Sequence, residues 1–223
     1  PGLIANNFMS IGGNGVARGI YMTGSSYYNI LNNNFHITNT HTGQSIGVPM
    51  YLTSNPSLKV YNNNFSNAGV GYGIYANNNT SFLADYNNYY VLGSQIGYWN
   101  GTARTTLSDW QSSTGQDLNA IEINPQFMSD SDLHVSNVLL NGAGLFQALV
   151  TQDIDGESRQ NPPDIGADEF DPSIANDAGV FMAVGPHAPF AHGSQPIDIA
   201  IKNFGADTLT SVNVRWVVNG IEQ

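Results

Sequence analysis

The chain has 223 residues, 41% hydrophobic and 11% aromatic, with no cysteine and a formal net charge of −11. That content is enough to bury the core of one large domain or two smaller ones, and the lack of cysteine excludes disulfides and thiolate metal sites. With only 6 Lys and Arg against 17 acids, nucleic acid and anionic membranes are not expected partners, and no apolar run approaches the ~20 residues needed to enter a bilayer.

The first hundred residues carry a repeat. Asn6-Asn7-Phe8, Asn33-Asn34-Phe35, Asn63-Asn64-Phe65 and Asn87-Asn88-Tyr89 return at steps of 27, 30 and 24 residues. A second series runs in step with them: Gly19-Ile20-Tyr21, Pro49-Met50-Tyr51, Gly73-Ile74-Tyr75 and Gly97-Tyr98-Trp99. Apolar runs are only a few residues long and are separated by Gly, Asn, Ser and Thr, so the repeat predicts strands rather than helices. Strands recurring at this period predict a solenoid, and parallel crossovers are overwhelmingly right-handed. The expected fold is all-β: a right-handed parallel β-helix with short strands such as Leu3 to Ala5, Val48 to Leu52 and Leu58 to Tyr61. Asn7, Asn34, Asn64 and Asn88 are expected to align as one column of amides. Phe8, Phe35, Phe65 and Tyr89 are expected to align as one column of rings, a structural ladder inside the tube or along a corner. Because the chain opens on Pro1 already in phase with the repeat, it reads as cut from a longer solenoid.

Past residue 100 the repeat breaks. Leu107-Ser108-Asp109-Trp110-Gln111 predicts a short helix, capped by Thr106 or Ser108 and ended by Gly115, with Trp110 plugging the core. Residues 121–127 and 132–135 read as further strands. Residues 153–171, rich in acid and proline, read as a terminal cap over the last coil. After Pro172, three stretches that alternate apolar and polar residues (179–184, 197–202, 212–218) predict the start of an antiparallel sandwich. The expected organisation is a β-helix with cap over 1–172 and a partial Ig-like sandwich over 173–223.

Several of these segments resemble a known class. Leu107-x-x-Trp110-Gln111-x-x-x-Gly115-x-Asp117, Asn124-Pro125-x-Phe127, Asp132-Leu133-His134, Asp153-Ile154-Asp155-Gly156-x-x-Arg159 and Asp164-Ile165-Gly166-Ala167-Asp168-Glu169 resemble the C-terminal end of secreted bacterial parallel β-helix repeat proteins. Gly193, Asn203-Phe204-Gly205 and Trp216-x-x-Asn219-Gly220 resemble the opening of a CARDB-type immunoglobulin-like module. The resemblance implies an extracellular or cell-surface protein exported through a C-terminal signal, such as that of type IX secretion. It also implies adhesion to, or contact with, extracellular polysaccharide or other surface proteins. Some members of this class are polysaccharide lyases or glycoside hydrolases.

The residues themselves favour a non-catalytic adhesive segment. Elimination from a uronate needs a base and a calcium ion or basic group, and hydrolysis needs two facing carboxylates. Residues 1–100 offer Arg18, Lys59 and Asp85 as their only formally charged side chains. The alternative is the C-terminal part of such an enzyme whose active coils lie upstream. Tyr27, Tyr28, Tyr72, Tyr90, Tyr98 and Trp99 are the expected glycan contacts, since aromatic faces suit the apolar faces of sugars. Asp153, Asp155, Asp164 and Asp168 are the expected metal ligands if calcium binds. Otherwise Asp155, Asp164 or Asp168 pairs with Arg159 and caps turn amides. The pairs His36/His41 and His187/His192 lack a third ligand, and neither predicts a zinc site.

Overall fold

A computed structural model describes residues 1–78, 81–171, 178–185, 193, 195–205, 208–218 and 221–222. The chain divides into two compact units, Pro1–Phe170 and Asp171–Gln223. The expected boundary at 172–173, the pair His187/His192 and the dipeptide Asn219-Gly220 lie outside the described residues.

The first unit is a parallel β-solenoid of about 4 turns. Its first coil comprises β1 (Gly2–Ala5), β2 (Phe8–Ile11) and β3 (Ala17–Thr23); the second β4 (Tyr28–Leu31), β5 (Asn34–Ile37) and β6 (Gly47–Thr53). The third has β7 (Leu58–Tyr61), β8 (Asn64–Asn67) and β9 (Ile74–Asn77). The fourth has β10 (Phe82–Asp85), β11 (Asn88–Val91) and β12 (Gly97–Trp99), after which β13 (Thr102–Arg104) turns back antiparallel on β12. Three sheets result, one from each strand of the coil: β1-β4-β7-β10, β2-β5-β8-β11 and β3-β6-β9-β12-β13.

The corner between the first two sheets explains the paired Asn residues. Asn6, Asn32, Asn62 and Tyr86 occupy the left-handed region, with φ of 54, 52, 58 and 55°. Asn enters that region at lower cost than most residues. The next residue of each coil then enters a continuous column. Asn7 Nδ2 donates to Asn33 Oδ1 (2.8 Å), Asn33 to Asn63 (2.9 Å), Asn63 to Asn87 (3.0 Å) and Asn87 to Asp117 Oδ1 (2.8 Å). Every bond points the same way, so the last member needs only to accept, and a carboxylate does so. Side-chain amides thereby satisfy one another where the bend leaves backbone groups facing inward.

The ladder expected from the motif is corrected by one residue at its first rung. Phe8 pairs with Asn34 and Met9 with Phe35, whereas Asn34, Asn64 and Asn88 lie in one register with Phe35, Phe65 and Tyr89 beside them. Phe35, Phe65 and Tyr89 stack inside the tube at ring separations of 5.3 Å. Phe8 lies instead on the outer side, against the His134 ring. Asn34, Asn64 and Asn88 form a second, outer column rather than continuing from Asn7. A slip of one residue moves a strand side chain to the opposite face, and this slip does so.

Helix α1 (Leu107–Thr114) follows, with the Thr106 hydroxyl accepting from Asp109 N–H and Gly115 ending it at φ 67°. Its Trp110 is fully buried against Phe82, Tyr89 and Trp99, and donates its indole N–H to Asp117. Residues 121–127 and 132–135 form no strands; Ile121 makes a single bridge to Asn88. The remainder, to Phe170, runs as a strap along the side of the coils. Asn88 Nδ2 donates to Ile123 O, Asn34 to Leu133 O, Asn62 to Leu145 O and Asn64 to Ile165 O. The acidic 153–171 segment is therefore no plug over the last coil: Arg159 reaches Asn6 of the first coil, and Gly166 N–H bonds Asn62 O of the third. The strap has a small apolar centre of Val135, Leu140 and Ile165.

In the second unit β14 (Ala178–Gly185) and β15 (Asp198–Asn203) pair antiparallel, as do β16 (Val217–Val218) and β17 (Ile221–Glu222). The expected third strand is confined to its last two residues.

Candidate functional site

The outer faces of the solenoid hold three features. The first is a column of tyrosines on the β3-β6-β9-β12 sheet. Tyr51, Tyr75 and Tyr98 stack nearly parallel at 4.1 and 4.5 Å, and Tyr21 leans on Tyr51 at 5.5 Å. The Arg18 guanidinium lies 3.7 Å from the centre of the Tyr51 ring. Tyr98, not Trp99, continues the series, because β12 aligns Tyr98 with Tyr75 and sends Trp99 to the core. Tyr72 abuts both Tyr75 and Tyr98. In this packing Tyr75 is stacked on both faces and Tyr51 lies between Tyr75 and Arg18, so these two rings spend their faces within the column.

The second feature is a groove of about 440 Å³ on the outer face of the β2-β5-β8-β11 sheet. The sheet register places Ser10, His36, Ser66 and Tyr90 in one column across the four coils. The strap supplies the opposite wall with Asn124, Gln126, Phe127 and Asp130. His36 is held from both sides, Nδ1 hydrogen-bonding Ser66 Oγ at 2.9 Å and Nε2 hydrogen-bonding Asp130 Oδ1 at 3.2 Å. Phe127 meets the His36 ring edge-on at 5.4 Å, and the Ser10 hydroxyl donates to Asp130 O. Although Ser66, His36 and Asp130 form a line, Ser66 is only 1% exposed and the β8 backbone around it is paired into the sheet. The line holds the imidazole between the Ser66 hydroxyl and the Asp130 carboxylate. Tyr90, half-buried, lines the groove and stacks on no other ring among the described residues.

The third feature lies in the strap. His134, Asp155 and Asp168 each offer a ligand atom, all within 4.8 Å of one another. His134 Nε2 contacts Asp155 Oδ2 at 2.8 Å, and Nδ1 hydrogen-bonds Asp132. Burial lowers the His134 pKa, but the Asp132 and Asp155 bonds outweigh it and raise the value to about 9. Asp168 is raised by burial, against the Val135 N–H bond that lowers it.

The expected residues distribute as follows. Of the glycan candidates, Tyr72 and Tyr98 share the tyrosine column and Tyr90 lines the groove. Tyr28 and Trp99 pack on the core, and Tyr27, 65% exposed, flanks a separate 510 Å³ groove with Asn29, Lys59, Leu83 and Leu149. Leu83 and Leu149 are 53% and 62% exposed, which makes that groove's rim apolar. Of the metal candidates, only Asp155 and Asp168 come together. Asp153 accepts from the N–H groups of Asp155, Glu157 and Glu169, and Asp164 from those of Gly142 and Phe170. Arg159 forms its ion pair with Glu169 at 3.0 Å and meets Asp168 through that residue's backbone carbonyl, at 3.1 Å, rather than its carboxylate. His36 and His134 were not read as site residues, because their partners lie 94 and 21 residues away in other loops. The one local signal is Asp132-x-His134, whose carboxylate also accepts the His134 N–H.

No protein-family model, curated protein or solved structure matches the chain.

Proposed function

We propose that this chain is a non-catalytic segment of an exported bacterial surface protein, a right-handed parallel β-helix that displays a glycan-contacting groove and is followed by a CARDB-type module. The observation that carries this reading is the groove on the β2-β5-β8-β11 sheet. It sets an unstacked Tyr90 and Phe127 beside His36, Thr38, Asn124 and Gln126. Rings supply the apolar faces that sugar rings pack against, while amides and hydroxyls match sugar hydroxyls. The side-chain amides of Asn124 and Gln126 donate to no other described residue, so their N–H groups are available to a ligand. Neutral polysaccharide suits a groove in which Asp130 is the only Asp, Glu, Lys or Arg among the lining residues. Among the described residues no helix is long and apolar enough to cross a membrane, which is compatible with display outside one.

A glycan array probed with the whole chain tests this reading. Retention on a defined set of polysaccharides, lost in Tyr90→Ala and unaffected by Tyr27→Ala, is the expected result. Absence of retention on every glycan, or retention unchanged in Tyr90→Ala, overturns it.

A further inference from the structure

We infer that His134, Asp155 and Asp168 form a binding site for one divalent transition-metal ion of the zinc type, which staples the strap to itself. Three features point there independently of the groove. The ligand atoms converge from three separate segments to within 4.8 Å, close to what a single ion needs. In a tetrahedral site with bonds of about 2.0 Å, neighbouring ligand atoms stand about 3.3 Å apart. The His134 Nε2 to Asp155 Oδ2 distance of 2.8 Å therefore has to open by only about half an ångström to admit an ion.

The second feature is the partner on the other nitrogen. Asp132 hydrogen-bonds His134 Nδ1, which fixes the ring and turns Nε2 toward the cluster. Metal-bound histidines are held by just such a carboxylate on the nitrogen that does not face the ion. The third is Asp168. It is 5% exposed, one of its oxygens accepts the Val135 N–H, and no other described donor reaches the carboxylate. A buried carboxylate with spare acceptor capacity beside an imidazole nitrogen is poorly matched by protein alone and well matched by a cation.

The loops are also preorganised. Asp153 accepts from Asp155 and Glu157 N–H with one oxygen and from Glu169 N–H with the other, tying the Asp155 turn to the segment that carries Asp168. Two carboxylates neutralise a divalent ion, and water completes the fourth position. One nitrogen and two oxygens select zinc or a neighbouring first-row ion. Calcium, which takes six to eight oxygens, is the weaker fit, so the site departs from the calcium set expected on sequence.

The test is a titration of the chelator-treated chain with zinc chloride by calorimetry, with calcium chloride in parallel, accompanied by thermal melting. One zinc ion per chain is expected, with a higher melting midpoint that EDTA reverses and much weaker binding of calcium. Asp155→Ala removes a half-exposed ligand whose side-chain partner is His134, and is expected to abolish the one-to-one binding while lowering the metal-free melting midpoint by no more than the loss of one exposed ion pair does. Asp132→Asn is expected to weaken affinity about 10- to 100-fold, as loss of an orienting partner does elsewhere. Zinc binding undiminished in Asp155→Ala would place the ion on other histidines and overturn the assignment. So would the absence of saturable zinc binding, or a clear preference for calcium.

Discussion

Two aromatic columns run along the coils, one inside with rings 5.3 Å apart and one outside with rings 4.1 and 4.5 Å apart, and they have opposite consequences. Phe35, Phe65 and Tyr89 stack in the tube, fully buried, where they exclude water from the core. Tyr51, Tyr75 and Tyr98 stack on the surface, where the central ring, Tyr75, has both faces taken by its neighbours. An exposed aromatic ladder is thus not by itself a binding surface. The unstacked ring is Tyr90, whose neighbour in its own column is Ser66, with His36 and Ser10 beyond it.

The largest effect should fall on the inner column. Phe65→Ala is expected to destabilise the first unit by about 4 kcal/mol, since it removes a buried ring from the centre of a stack that cannot collapse around the void. Urea unfolding measures this, and a loss below that of any outer tyrosine would erase the distinction between the columns. Asn63→Ala comes next, at about 3 kcal/mol. It strips the Ile30 and Tyr61 carbonyls and the Asn33 and Asn87 side chains of a buried partner. Tyr75→Ala should cost about 2 kcal/mol, the worth of two stacked pairs on a partly solvated face.

A smaller effect is tied to pH. Burial raises Asp117 to about 6, against the lowering bonds from Asn87, Trp110 and Tyr89, and raises Asp164 to about 7, against those from Phe170 and Gly142. Both carboxyls keep a proton in the folded chain at a pH where the unfolded chain, near 3.8, has lost it. Folding therefore takes up protons, and stability falls as pH rises from about 4 to about 7. The urea midpoint of the first unit should be higher at pH 5 than at pH 8. An equal or lower midpoint at pH 5 would show that these carboxylates are better solvated than their burial indicates.

Much of the solenoid was legible, because a motif recurring with short apolar runs admits few other folds. The register was legible only in the middle. Aligning ring on ring placed Phe8 with Phe35, yet the polar column decides: Asn7 has to meet Asn33 for its amide to be satisfied, so Phe8 goes outside. The same slip at the other end moved the stack from Trp99 to Tyr98. The strap was misread as strands and a plug because its bonds run from side chains of the coils to its backbone. Such pairing leaves no periodicity in the strap's own sequence. The His134 cluster was legible only in Asp155 and Asp168, two of the expected metal ligands, because His134 reaches them through loops that only the folded coils position.

The most direct measurement is a comparison of Tyr90→Ala with Tyr75→Ala, both folded, on whichever polysaccharide the wild-type chain retains. Loss of retention in Tyr90→Ala with Tyr75→Ala unchanged is expected if the open groove binds and the tyrosine column only holds the coils together. Loss in Tyr75→Ala with Tyr90→Ala unchanged would contradict it and move the site to the outer stack.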